Sequence, residues 1–252
     1  MDRSAEIDRT SPIIAPRRTP LLHQSWHHLL FAHWDLPPEV VRPLVPAGLE
    51  LDLFDGRAWV GLVPFTITGT RATFTPPVPL VSDFHEVNVR TYVHRGGKDP
   101  GVWFFSLDAA SLLAVAGARA VYRLAYFAAE IRFDVQPGDP SRFHFVSKRH
   151  APPPPPGCDL RWTAGGATRP AAFRSLDFFL VERYLVYGAS EDGTLWRGQV
   201  HHQAYPLLEE VALEQLEESL LAAGGIARPE APPLHHASPG VDVRIYAPER
   251  VV

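Results

Sequence analysis

Phe84-His85-Glu86-Val87-Asn88-Val89-Arg90-Thr91-Tyr92-Val93-His94 alternates without a break. Successive side chains of an extended chain leave on opposite sides. His85, Val87, Val89, Thr91 and Val93 therefore form one face, suited to a core. The other face carries Phe84, Glu86, Asn88, Arg90, Tyr92 and His94, so a carboxylate, an amide and a guanidinium stand in a row between aromatic rings. After the turn Gly96–Gly101, the run Val102–Leu107 is apolar on both faces, which implies a strand covered on both sides. Its neighbour is then covered too, and a covered Glu–Asn–Arg row needs partners or a ligand. The plainer alternative is an exposed face carrying a Glu86–Arg90 ion pair.

Working outward, Trp59–Thr68, Phe127–Val135, Arg142–Lys148, Leu195–Tyr205 and Val241–Tyr246 read as further strands. Leu49–Phe54 alternates and ends on an Asp55-Gly56 hairpin turn. Pro37–Val45 reads as a short helix and Thr75–Pro79 as a proline-rich loop. Asp108 is expected to cap a buried helix over Ala109–Tyr122. Leu176–Tyr187 is expected to be a helical turn running into a strand. Leu207–Ala223 reads as an amphipathic helix, with Glu209, Glu210, Glu214, Glu217 and Glu218 on its wet face and Gly224-Gly225 closing it. Prolines 152–156 form a polyproline spacer. About nine or ten strands and two or three helices make an α+β, β-rich fold: a loose tail over residues 1–20, then one domain over 21–252.

The 252 residues carry a formal charge of −4, without the basic footprint of a nucleic-acid binder. No apolar run reaches membrane-spanning length, and the polar start is not a secretory signal. Cys158 is the only cysteine, which excludes an internal disulfide or a thiolate cluster and suits the cytoplasm. Phosphate-binding loop, dinucleotide fingerprint and nucleophile elbow are all missing, so no cofactor is expected. The histidines come as neighbours (His27-His28, His201-His202, His235-His236), which point to opposite faces of a strand. Each pair thus offers one inward ligand at most, and no metal is expected.

Trp59–Phe65, Phe84–Val93, Gly101–Ala109 and Phe179–Tyr184 resemble the YqjF-like family of uncharacterised bacterial proteins, within the acetoacetate decarboxylase-like superfamily. The resemblance spans most of Leu22–Pro248. It implies a closed, cone-like β-barrel with a central cavity and a few flanking helices. It places an active-site glutamate at Glu86 and sets His27, or a residue beside it, where the decarboxylase has an arginine. The decarboxylase's adjacent catalytic lysines align with Tyr122-Arg123-Leu124, and both are absent. The chain's only lysines are Lys98 and Lys148. Arginine cannot form an imine, so the resemblance does not extend to Schiff-base decarboxylation.

The expected site accordingly holds Glu86 as acid or base, with His27. Asn88, Arg90, Tyr122, Arg123 and Arg119 bind the ligand, and His202 lines the cavity. Arg119 and Arg123 read equally well as partners of Glu130 or Asp134. The expected partner is a small anionic molecule, not nucleic acid or membrane, and self-association stays open. Two functions fit: a cofactor-independent acid/base enzyme of lyase, dehydratase or isomerase type on a small carboxylate or keto acid, or a non-catalytic binding or sensor protein.

Overall fold

The computed structural model describes residues 7–77 and 82–251. The first six residues of the expected tail, and Val78 and Pro79 of the proline-rich loop, lie outside it. Among the described residues are twelve strands: β1 (Leu22–Leu36), β2 (Glu50–Leu51), β3 (Ala58–Ala72), β4 (Phe84–Arg95), β5 (Lys98–Ala109), β6 (Tyr126–Gln136), β7 (Ser141–Arg149), β8 (Gly157–Arg169), β9 (Leu185–Ala189), β10 (Leu195–His201), β11 (Leu207–Glu218) and β12 (Leu234–Arg250). Four short helices accompany them: α1 (Pro38–Val41), α2 (Leu112–Tyr122), α3 (Leu176–Val181) and α4 (Leu220–Ala223). None is long and apolar enough to cross a membrane.

Seven strands close a barrel in the order β5-β9-β10-β12-β1-β3-β4, with β4 pairing back onto β5. β5 makes the closure possible by dividing its far edge. Val102 and Trp103 pair with β9, whereas Leu107–Ala109 pair with β6. β6 then leads into a second, antiparallel sheet ordered β6-β7-β8-β11. Two cores follow. Phe31, Val63, Phe65, Phe84, Tyr92 and Leu180 belong to the cluster that fills the barrel. Leu30, Leu62, Val87 and Val89 on the outer wall join Phe143, Phe145, Leu160 and Trp162 of the second sheet.

β1 shows why the alternation matters. Trp26 packs inward on Phe65, while His28, at φ 55°, packs outward on Phe133 and Phe143. The register of β1 against β3 shifts between His27 and Ala32. That bulge resets the facing, so Leu29, Phe31 and His33 again point into the barrel.

Several expectations are corrected. Leu207–Ala223 is not an amphipathic helix: it is the strand β11 followed by the single turn α4. Register shifts after Leu208 and Leu213 space the core-facing residues Leu208, Val211, Leu213 and Leu216 at three, two and three, which imitates a helical repeat. Glu209, Glu210, Glu214 and Glu217 lie exposed on an edge strand, where charge discourages pairing with another chain, whereas Glu218 is turned in, accepting from the Leu221 N–H and facing Arg228. α2 forms, but of its described side chains only Val115 is buried, and Leu112 and Val121 are exposed. Asp108 does not cap it. That residue lies in β5 and is held by Arg149. Over residues 7–20 the chain is tied down: Arg9 grips Asp52 with both Nη atoms (2.5 and 2.6 Å), and Arg18 meets Glu249.

Arg149 donates from Nε and Nη2 to the two oxygens of Asp108 (2.8 and 2.7 Å), and both residues are buried. This ion pair stitches barrel strand β5 to β7 of the second sheet. Breaking one side of such a pair strands the other charge at a cost of about 3–5 kcal/mol, whereas replacing both with apolar groups is often near neutral. Arg149→Met is therefore expected to lower the unfolding free energy in urea by about that amount, and Asp108→Leu in the Arg149→Met background to restore most of it.

Candidate functional site

The face of β4 that carries the polar row points into the barrel. Glu86 lies opposite Phe65 of β3 and Ala109 of β5, both members of the interior cluster. Glu86, Asn88 and Arg90 are 2%, 4% and 9% exposed, so the row is sealed from bulk water rather than lying on a wet face.

Tyr126 of β6 donates its hydroxyl to Glu86 Oε2 at 2.8 Å. Asn88 also hydrogen-bonds to Glu86, and its own Oδ1 has no partner. Burial pushes the Glu86 carboxyl up to about 7. The hydrogen bonds from Tyr126 and Asn88 oppose the rise, and the charge of Asp108, on the neighbouring strand, adds to it. Tyr126 itself is driven well above the ordinary phenol range by burial and by Glu86, so it stays a donor. Glu86 is thus an acid poised to exchange its proton near neutrality.

Arg90 sits beyond a register shift between Val89 and Arg90. Its Nη2 donates to the Leu180 carbonyl (3.1 Å), and the guanidinium lies over the rings of Phe31 and Tyr92. Its Nε has no partner, and among the described residues no carboxylate lies within ion-pair distance of it. Tyr92 donates to the same carbonyl at 2.7 Å and lies 2.6 Å from His33 Nε2. The Leu180 oxygen can only accept, so the phenol proton points there and His33 Nε2 carries the hydrogen. Burial first, then Arg90, holds His33 well below the usual imidazole range. Its Nδ1 is then a buried, unpartnered acceptor. Gly61 makes room for this group: a Cβ there would come within 2.8 Å of the His33 ring.

The other expected site residues divide. His202 is buried and stacked on Tyr184, with Nδ1 against the Gln203 carbonyl and Nε2 unpartnered. Burial lowers it to about 4. His27 leaves from the outer side of the barrel wall and bonds to Thr68 Oγ1 at 2.9 Å, so the wall separates it from Glu86. Tyr122 donates to the Tyr246 carbonyl. Arg123, at φ 55°, turns back to the Ala120 carbonyl, and Arg119 donates to the Tyr126 carbonyl. Both arginines are exposed and join neither Glu86 nor Glu130 or Asp134. Glu182 and Arg183 do not pair with each other: Tyr184 and Tyr205 hold Glu182, while Asp52 holds Arg183.

Sequence reasoning missed Tyr126 and His33. Tyr126 reaches Glu86 through the short parallel β5–β6 pairing, which no local pattern announces. His33 was legible in principle, since Phe31-Ala32-His33-Trp34 alternates once the bulge at His28 is allowed for.

A family model described as "Uncharacterized conserved protein" (DUF2071) matches residues 23–242. The uncharacterized protein YqjF of Bacillus subtilis is 38% identical over 232 residues, 90% of each chain. Among solved structures, an acetoacetate decarboxylase-like enzyme from Sphingomonas wittichii RW1 aligns at TM-score 0.63 and 14% identity, over 93% of this chain and 94% of that one. Acetoacetate decarboxylase from Legionella pneumophila gives 0.61 and 14%, over 100% and 98%. The enduracididine biosynthesis enzyme MppR, complexed with pyruvate, gives 0.66 and 12%, over 94% and 92%. At such identities the likeness carries the fold: this chain has the acetoacetate decarboxylase-like fold.

A carboxyl whose folded pKa is raised stabilises the protein fully below its unfolded value of 4.5 and loses that contribution as pH climbs to about 7. Wild type should therefore lose about 3 kcal/mol of unfolding free energy relative to Glu86→Gln between those pH values, and the difference should level off above them. Urea titrations of both proteins from pH 4 to 8 measure it; parallel curves would remove the claim of a neutral buried acid.

Proposed function

The chain belongs to the DUF2071 family of uncharacterized conserved proteins, and for it we propose a small organic carboxylate or keto acid held inside the barrel and subjected to proton transfer by Glu86. The observation that carries this reading is Arg90. A buried guanidinium without a carboxylate partner is costly unless something anionic arrives. Its planar fork matches a carboxylate bidentately. The unpartnered oxygen of Asn88 and the bare Nδ1 of His33 add acceptors for a hydroxyl or enol on the same ligand.

Glu86 supplies the chemistry. With its pKa near 7 it exists in both protonation states at neutral pH, the condition under which a single group works as acid and base. Tyr126 and Asn88 hold it in place. Imine chemistry has no support from the chain's amines: Lys98 and Lys148 are both exposed, so neither has the buried setting that lowers a lysine pKa. The presence of pyruvate in a complex of the structurally similar MppR makes a 2-keto acid the natural first probe.

Pyruvate in D2O exchanges its methyl hydrogens when a base removes them, and proton NMR reads the exchange. The wild type is expected to accelerate it, with a rate that rises through pH 7 as Glu86 ionises. Glu86→Gln should lose roughly a hundredfold or more of that rate while still binding pyruvate, and Arg90→Gln should weaken binding roughly tenfold or more. Binding without any exchange would mark the alternative, a receptor or sensor whose neutral Glu86 only recognises the ligand. Failure of the wild type to bind pyruvate and a panel of related keto and hydroxy acids would sink both readings.

A further inference from the structure

Four neighbouring strands set four basic side chains abreast on the outside of the barrel. Arg71 of β3 lies opposite His23 of β1, His23 opposite Arg244 of β12, and Arg244 opposite His201 of β10. At a strand spacing of about 4.8 Å the row is about 14 Å long, with its two guanidiniums about 10 Å apart at the backbone. Arg244 Nη2 lies 3.0 Å from His201 Nδ1, so that nitrogen is an acceptor and the outer Nε2 carries the hydrogen. Among the described residues neither Arg71 nor Arg244 has a carboxylate within ion-pair distance.

The row lines a cleft of about 910 Å³. Asp242 is the only carboxylate among its lining residues, and Ser25 occupies its Oδ1 at 2.6 Å. Buried His202, whose Nε2 lacks a partner, also lines it. The positive field is felt within the row: after burial, the charges of Arg71 and Arg244 are what lower His23.

We propose that this cleft is a second ligand site, distinct from the Glu86–Arg90 row, and that it takes a soluble phosphorylated small molecule through a diphosphate-like group. A single carboxylate engages one guanidinium fork. A diphosphate is longer and carries acceptor oxygens along its length, so Arg71 and Arg244 grip it from both sides while His23 donates between them. The cleft has the volume of a small-molecule site, enough for the organic part of such an ester. Neither Glu86 nor Arg90 lines the cleft, and the row leaves β1 on the face opposite inward-packed Trp26, so the inference does not rest on the function proposed for the barrel interior.

Isothermal titration calorimetry of the full chain with inorganic pyrophosphate, with inorganic phosphate in parallel, tests the proposal. One saturable pyrophosphate site is expected, with phosphate weaker by roughly tenfold or more. Arg71→Gln and Arg244→Gln should each weaken pyrophosphate binding by a similar factor. Arg90→Gln, inside the barrel, and Arg161→Gln, on the second sheet, should leave it unchanged, and excess pyruvate should not compete. The proposal is overturned by non-saturable uptake, by a site indifferent to Arg71 and Arg244, or by loss of binding in Arg90→Gln. It is likewise overturned if light scattering shows that the row joins copies of the chain, with Arg71→Gln dissolving the oligomer and pyrophosphate not bound.

Discussion

Closing a seven-stranded sheet on itself removes one face of every strand from water. Whatever polar group stands on that face must then find a partner inside or carry the cost of having none. Most of the barrel obeys the simple solution, with Phe31, Val63, Phe65 and Tyr92 turned inward. β4 does not. It sends a carboxylate, an amide and a guanidinium into the same space, and much of the surrounding structure serves to accommodate them. Tyr126 comes from outside the closed ring of strands to donate to Glu86. α3 presents the Leu180 carbonyl, which accepts from both Arg90 and Tyr92. Gly61 gives up a side chain so that His33 can lie flat beside the row. Even so, Asn88 Oδ1, Arg90 Nε and His33 Nδ1 remain without partners. Folding alone favours apolar residues on such a wall, and these unmet atoms are a cost it would avoid.

Much of this was legible in the sequence where alternation was clean. β4 is read to within a residue of its bounds, and the double-sided apolar run Val102–Leu107 correctly announced that its neighbour would be covered. The signal failed where bulges interrupted it. β11 meets β8 with two register shifts, one with the extra residue on each strand, and its apolar residues recur at helical intervals. β1 has one at His28, which hid a fifteen-residue strand and with it the inward-facing His33. The long strand β8 passed unread although Cys158–Ala164 alternates. Partners brought by distant pairing were invisible for another reason. Tyr126 and Glu86 lie forty positions apart and meet only because β5 splits its edge between two sheets, and no local pattern encodes that division. Arg119 and Arg123 were drawn toward the site by resemblance to a lysine-bearing loop, but Arg119 lies exposed on α2 and Arg123, at φ 55°, is exposed on the turn that follows.

Glu86 and Arg90 stand four residues apart on β4, about 13 Å along an extended strand with Asn88 between them, too far to form an ion pair. A guanidinium beside Glu86 would hold the carboxyl ionised and well below 7, and the carboxylate would in turn occupy the fork of Arg90. The extended backbone of β4 prevents it. Arg90 turns instead to Phe31 and the Leu180 carbonyl, and it is absent from the influences on Glu86, which are burial, Tyr126, Asn88 and Asp108. The strand thus leaves two groups apart: a carboxyl that burial raises to about 7, and a permanent cation whose Nε has no partner. The choice of arginine is consistent with this. A lysine in the same dry interior would be free to shed its proton and become neutral, whereas the guanidinium keeps its charge and so keeps its need for an anion.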